Sequence, residues 1–142
     1  MSKKRWIIMA VVILPIVAAI IVYCVPRGVS RVLSLSDGEP ASISSYMDVR
    51  ASVKSYKTED PQEMAQFLEP LQMLQVKYVN SRNIYEVGEV SADIFVRYDD
   101  GSLCRFFISD NGIVRCNGKN YRCADKAALE ALLELLESWQ LY

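Results

Sequence analysis

Apolar positions follow three different rhythms along this chain. Residues 6 to 25 form one apolar run, Trp6 to Val25, with no charge in 20 residues. As a helix rising 1.5 Å per residue it is about 30 Å long, the thickness of a bilayer's hydrocarbon core. Trp6 and Tyr23 lie near its ends, where amphipathic rings favour the headgroup region. Lys3, Lys4 and Arg5 precede the run and Arg27 alone follows closely, a bias that orients the amino terminus inward. Pro15 lacks an N–H and is expected to kink the helix, which membrane spans tolerate. The alternative is a cleaved signal peptide using Val17-Ala18-Ala19, with secretion as the result. The apolar run continues six residues past Ala19, longer than a signal peptide needs, so an uncleaved anchor through residues 6–25 is the expectation. Tyr23 before Cys24 is too large for a lipoprotein cysteine site.

The second rhythm is alternation. Pro26-Arg27-Gly28 breaks the helix, residues 26–31 read as a linker, and residues 32–142 read as one extracytoplasmic domain. Val32 to Leu35 reads as a short strand before the Asp37-Gly38-Glu39-Pro40 turn. Val49, Ala51 and Val53 alternate with Arg50, Ser52 and Lys54 as a half-exposed strand, and the long segment from Ala41 to Val49 leaves the first hairpin's register open. Gln75 to Val79 reads as another strand. Asp99-Asp100-Gly101 and Asp110-Asn111-Gly112 each place Gly third, as a three-residue hairpin loop with a bulge requires. That loop length sets Val96 opposite Cys104, Ile94 opposite Phe106, Ala92 opposite Ile108, and Ile108 opposite Val114. A turn centred on Gly118-Lys119 would then set Cys116 opposite Tyr121 and Val114 opposite Cys123. A one-residue slip would bring Arg105 to the apolar face.

The third rhythm is helical. Asp60 is a cap, Pro61 suits the first turn and Glu63 follows three residues after the cap. Met64, Phe67, Leu68 and Leu71 form one stripe, and Pro70 is expected to end or kink the helix near Glu69. Asp125 caps a last helix whose stripe is Leu129, Leu132, Leu133 and Leu136, with Glu130, Glu134 and Glu137 on its wet side and Trp139 and Leu141 packing back. Without regular βαβ alternation, the prediction is an α+β domain with a mostly antiparallel sheet and two helices, behind an N-terminal transmembrane helix.

Composition narrows the chemistry. The chain has 142 residues, 16 basic, 17 acidic and no histidine. Residues 26–142 keep 13 basic and 17 acidic side chains, a net charge of −4, which disfavours a nucleic-acid partner. Without histidine there is no Ser–His or Cys–His pair, and no metal or cofactor is expected. No CxxC occurs, so neither a zinc ribbon nor a thioredoxin-type site is supported. Asp99 and Asp100 have no EF-hand spacing and suit a turn.

Two groups remain. Cys104, Cys116 and Cys123 fall on the predicted core face, either as buried thiols acting as small hydrophobes or, since a disulfide is permitted outside the membrane, as one strained bridge between diagonal neighbours. The opposite face carries Phe95, Arg97, Arg105, Phe107 and Arg115, alongside Asp93, Leu103 and Arg122. Phe95 sits across from Arg105 and Phe107 across from Arg115, an arrangement for cation–π stacking. Either this face meets a protein partner, as aromatic and Arg enrichment suggests, or a helix covers the phenylalanines while the arginines snorkel.

In its order of elements (anchor, strand, helix start at Lys57 to Asp60, FVRYDDGS, ISDNGIVRCNGKNY, leucine-rich closing helix) the chain resembles a loose group of small Gram-positive membrane-anchored or lipoprotein-like proteins with extracytoplasmic α+β domains of unknown function. The group implies no activity, so no catalytic residue carries over. The expected function is a non-catalytic binding or interaction module held at the cell membrane. The alternatives are a thiol-dependent redox protein or enzyme using the core-face cysteines, and a small regulator acting through its span.

Overall fold

A computed structural model describes residues 2–24, 26–79 and 88–141 of the chain. The apolar run forms helix α1, Lys3–Cys24, and Pro15 does not interrupt it. The stretch Lys3–Ile21 buries nothing against the rest of the molecule. Val25, the last residue of the expected span, lies outside the described residues.

The remaining chain is α+β with an antiparallel sheet. The expected linker is instead part of it. Strand β1 (Arg27–Gly28) pairs with β4 (Gln75–Val79), and the Val29 N–H donates to the Leu74 carbonyl at 2.9 Å. Helix α2, Val29–Val32, is a single turn that buries Val29 completely. Val32 to Leu35 is therefore not a strand: Leu33 is core and Ser34 takes a positive φ of 54°. A linker reading fails here because one Val and one Leu, too few for any periodic signal, are anchored by long-range packing.

Strand β2 (Pro40–Val49) forms a hairpin with β3 (Ser52–Thr58). The chain reverses at Arg50-Ala51, both at positive φ (50° and 66°), so Val49, Ala51 and Val53 do not share a strand and Val53 is 72% exposed. Primed two-residue turns match the sheet's twist, but normally use Asn or Gly. Helix α3 (Pro61–Gln72) then crosses the sheet to β4. Asp60 Oδ1 accepts from the Gln62 N–H at 3.0 Å. The capping box is relayed, because the Thr58 hydroxyl bonds the Glu63 carboxylate and accepts the Asp60 N–H. Pro70 does not end the helix at Glu69. It sits in the last turn, and the helix closes two residues later.

β5 (Val90–Tyr98), β6 (Leu103–Ser109), β7 (Ile113–Cys116) and β8 (Lys119–Cys123) form the meander. The β5–β6 and β6–β7 registers are those predicted from the loops. Gly112, at φ 91°, is one such loop glycine; a Cβ there would meet the Cys123 carbonyl at 3.0 Å. The last hairpin is corrected by two residues. Val114 faces Tyr121 and Cys116 faces Lys119, because the turn is Asn117-Gly118, both at positive φ. Asn-Gly is the residue pair that a type I′ turn favours. A shift of two preserves the faces, so Cys116, Tyr121 and Cys123 are still buried.

Helix α4 (Lys126–Glu137) is capped by Asp125, which accepts the Ala128 N–H at 3.0 Å. Strand β9 (Gln140–Leu141) returns to β3. Trp139 packs edge-on to Phe67, but Leu141 is 66% exposed, since a two-residue edge strand leaves it little to pack on. Among the described residues the sheet order is β1-β4-β8-β7-β6-β5-β2-β3-β9, with every neighbouring pair antiparallel. One core joins Val29, α3 and α4 to the sheet residues Ile43, Met47, Ile94, Val96, Phe106 and Ile108. The domain's helices thus occupy one face of the sheet.

Candidate interaction face

The other face follows from register alone. Cross-strand partners share a face, and the pairs Tyr46↔Asp93, Asp93↔Phe107, Phe107↔Arg115 and Phe95↔Arg105 lie opposite the core. No described helix covers them. The Arg105 guanidinium carbon lies 5.2 Å from the Phe95 ring centre, and that of Arg115 lies 5.1 Å from Phe107. These are cation–π distances. Arg115 is oriented by donating from Nε to Asn120 Oδ1 at 2.6 Å. Arg105 approaches Asp93 at 3.8 Å, a solvent-screened pair that orients more than it stabilises. Arg97 is exposed at the rim beside Leu103, its cross-strand partner, which is 57% exposed.

The sequence reading missed β2's part in this face. Tyr46 packs edge-on to Phe95 with ring centres 5.8 Å apart and is half exposed. With Ser42, Ser44, Phe95, Arg97 and Leu103 it lines a shallow depression of about 320 Å³. The signal was present: Ser42, Ser44, Tyr46 and Asp48 alternate with Ile43 and Met47. What was lacking was the register joining β2 to β5, which includes an irregularity between Pro40 and Ser42. A second depression, about 340 Å³, lies beside Asp93, Arg105, Phe107 and Arg115.

Charge is segregated. Among the described strand residues, Lys57, Lys77, Arg97, Arg105, Arg115 and Arg122 stand on this face by register, with Asp48 and Asp93 against them. That gives a basic surface on a domain of net charge −4. Lys57 is tied to Glu59 at 3.2 Å.

The cysteines of the domain do not join this face. Cys104, Cys116 and Cys123 are free and buried, and the Cys104 thiol donates to the Leu33 carbonyl at 3.1 Å. Burial, with Cys116 nearby, pushes the Cys104 thiol up to about 11. Burial raises Cys116 and Cys123 as well. A thiol nucleophile needs the opposite shift. Asp99 and Asp100 lie in the loop after β5. The Asp100 carboxylate accepts from the Ser102 N–H at 2.8 Å and hydroxyl at 2.6 Å, which holds its pKa below the ordinary value. Among the described residues no group of three His, Cys, Asp or Glu side chains is placed to hold a metal.

No protein-family model, curated protein or solved structure matches this chain.

Proposed function

We propose that α1 crosses the cell membrane with Lys3, Lys4 and Arg5 inside, and that the domain outside is a non-catalytic interaction module. Its open sheet face is the contact surface for a protein partner. The observation that carries this reading is the placement of Phe95–Arg105 and Phe107–Arg115 on a face that no described helix covers. Aromatic and arginine side chains are the groups that anchor interfaces. The 22-residue length of α1 and the lack of burial over Lys3–Ile21 support the span. Raised thiol pKa values and the absence of histidine support a non-catalytic reading over thiol chemistry. The order of elements supports a relation to small Gram-positive membrane-anchored proteins of the same layout.

The test is site-specific photocrosslinking in intact cells from a probe at Leu103. The expected result is one discrete crosslinked species that Phe95→Ser with Phe107→Ser removes while the fold persists. A discrete species that is indifferent to the double substitution, or no species, overturns the interface. Protease protection of the carboxyl-terminal domain in sealed, inside-in cells would overturn the orientation.

A further inference from the structure

We propose that the junction between α1 and the sheet is a binding site for the phosphate of an anionic phospholipid. The proposal rests on α1 spanning the bilayer. Only Val25 and Pro26 separate the helix end at Cys24 from Arg27 in β1, a reach of roughly 11 Å at full extension. β1 is held in the sheet by β4, and α1 ends beside β4. The sheet edge therefore cannot leave the membrane surface. At this junction is a cavity of about 560 Å³, in the size range of small-ligand sites, lined by Ile21, Arg27, Arg31, Val32 and Tyr121 among others.

The lining matches a lipid at its phosphate. Ile21 belongs to the last turn of the span, so it stands at the edge of the hydrocarbon, and Val32 extends the apolar wall. Arg27 and Arg31 stand just beyond the end of the span, at headgroup depth. The guanidinium fork fits phosphate oxygens bidentately, which an ammonium does not. Tyr121 adds an amphipathic ring, a residue type that favours this depth. Among the described residues, the charged side chains lining the cavity are Arg27 and Arg31, although the domain as a whole is acidic. That local reversal of charge selects an anionic lipid over a zwitterionic one.

The experiment reconstitutes the full chain in vesicles of equimolar phosphatidylcholine and phosphatidylglycerol. Electron paramagnetic resonance then measures the immobilised fraction of a spin-labelled form of either lipid. The expected result is preferential immobilisation of phosphatidylglycerol. Arg31→Gln is expected to weaken that affinity about fivefold, and Arg27→Gln with Arg31→Gln to abolish the preference. Arg31 is exposed, so its substitution spares the fold, which an unchanged melting temperature verifies. Equal immobilisation of both lipids, or a preference untouched by Arg31→Gln, overturns the lipid site while leaving the span intact. Displacement of the bound lipid by millimolar inorganic phosphate would assign the cavity to soluble anions and also overturn it. Extraction of the protein by alkaline carbonate would refute the span itself, and the lipid site with it.

Discussion

Phe106 and Phe107 are neighbours on β6 and point to opposite faces, so replacing each with Ala tests the two-sided architecture directly. Phe106 is 2% exposed and packs in the core with Ile94. Its truncation removes a full aromatic side chain from a close-packed interior and should cost about 3–5 kcal/mol. Phe107 is half-buried, and its strongest described partner is the Arg115 guanidinium at 5.1 Å. Losing that stacking and some partial burial should cost about 1 kcal/mol. For a domain of this size each kcal/mol moves the melting temperature by roughly 4 °C. Phe106→Ala should therefore lower it by about 12–20 °C and Phe107→Ala by only about 4 °C. The assay is thermal unfolding of the full chain in detergent, followed by near-ultraviolet circular dichroism. Equal losses, or a larger loss for Phe107→Ala, would mean that something covers the second face, and the interaction surface would fall with it.

Other outcomes test other parts of the structure. Val29→Ala should cost about 2 kcal/mol, because this side chain is fully buried; if residues 26–31 were a linker, the melting curve would not move. Ala51→Gly should raise stability by about 1 kcal/mol by relieving the positive φ of 66° in the β2–β3 turn, and a loss in a denaturant titration would contradict that turn. Below pH 9 both folded and unfolded chains carry a neutral Cys104 thiol. With the ordinary value at 9.0 and the folded one near 11, the unfolded chain ionises first as pH rises, so stability falls between pH 9 and 11. Melting temperatures across that window should fall less steeply in Cys104→Ala than in the natural chain, and parallel slopes would refute the burial of this thiol. Asp125→Ala should cost about 1 kcal/mol by uncapping α4, measurable in the same melts.

The meander and both long helices were legible because local rules fix them. Three-residue loops ending in Gly101 and Gly112 dictate register, and a slip would bury Arg105. Leucines at helical spacing after an Asp cap left α4 one face to bury. The cation–π pairs of the candidate face followed from that register without further information. The turn at Asn117-Gly118 was also legible, and the two-residue error came from centring it one residue late. The errors elsewhere have another origin. Arg50-Ala51 has no turn chemistry of its own. It bends because Ile43, Ser45 and Met47 are held against β5 while Tyr56 and Thr58 complete the same face.

By itself, then, the order of residues determined the apolar helix, the buried stripes of α3 and α4, and the faces and neighbours of strands β5 to β8, since these depend on spacing and turn geometry within a few residues. Which distant strands meet was decided only in three dimensions. β1 closes on β4, β5 inserts beside β2, and β9 returns to β3. Such contacts join segments with no shared local signal, and their loop-closure entropy is offset only when the whole core forms. That same closure turned an apparent linker into a sheet edge and left Tyr46 beside Phe95 on the open face.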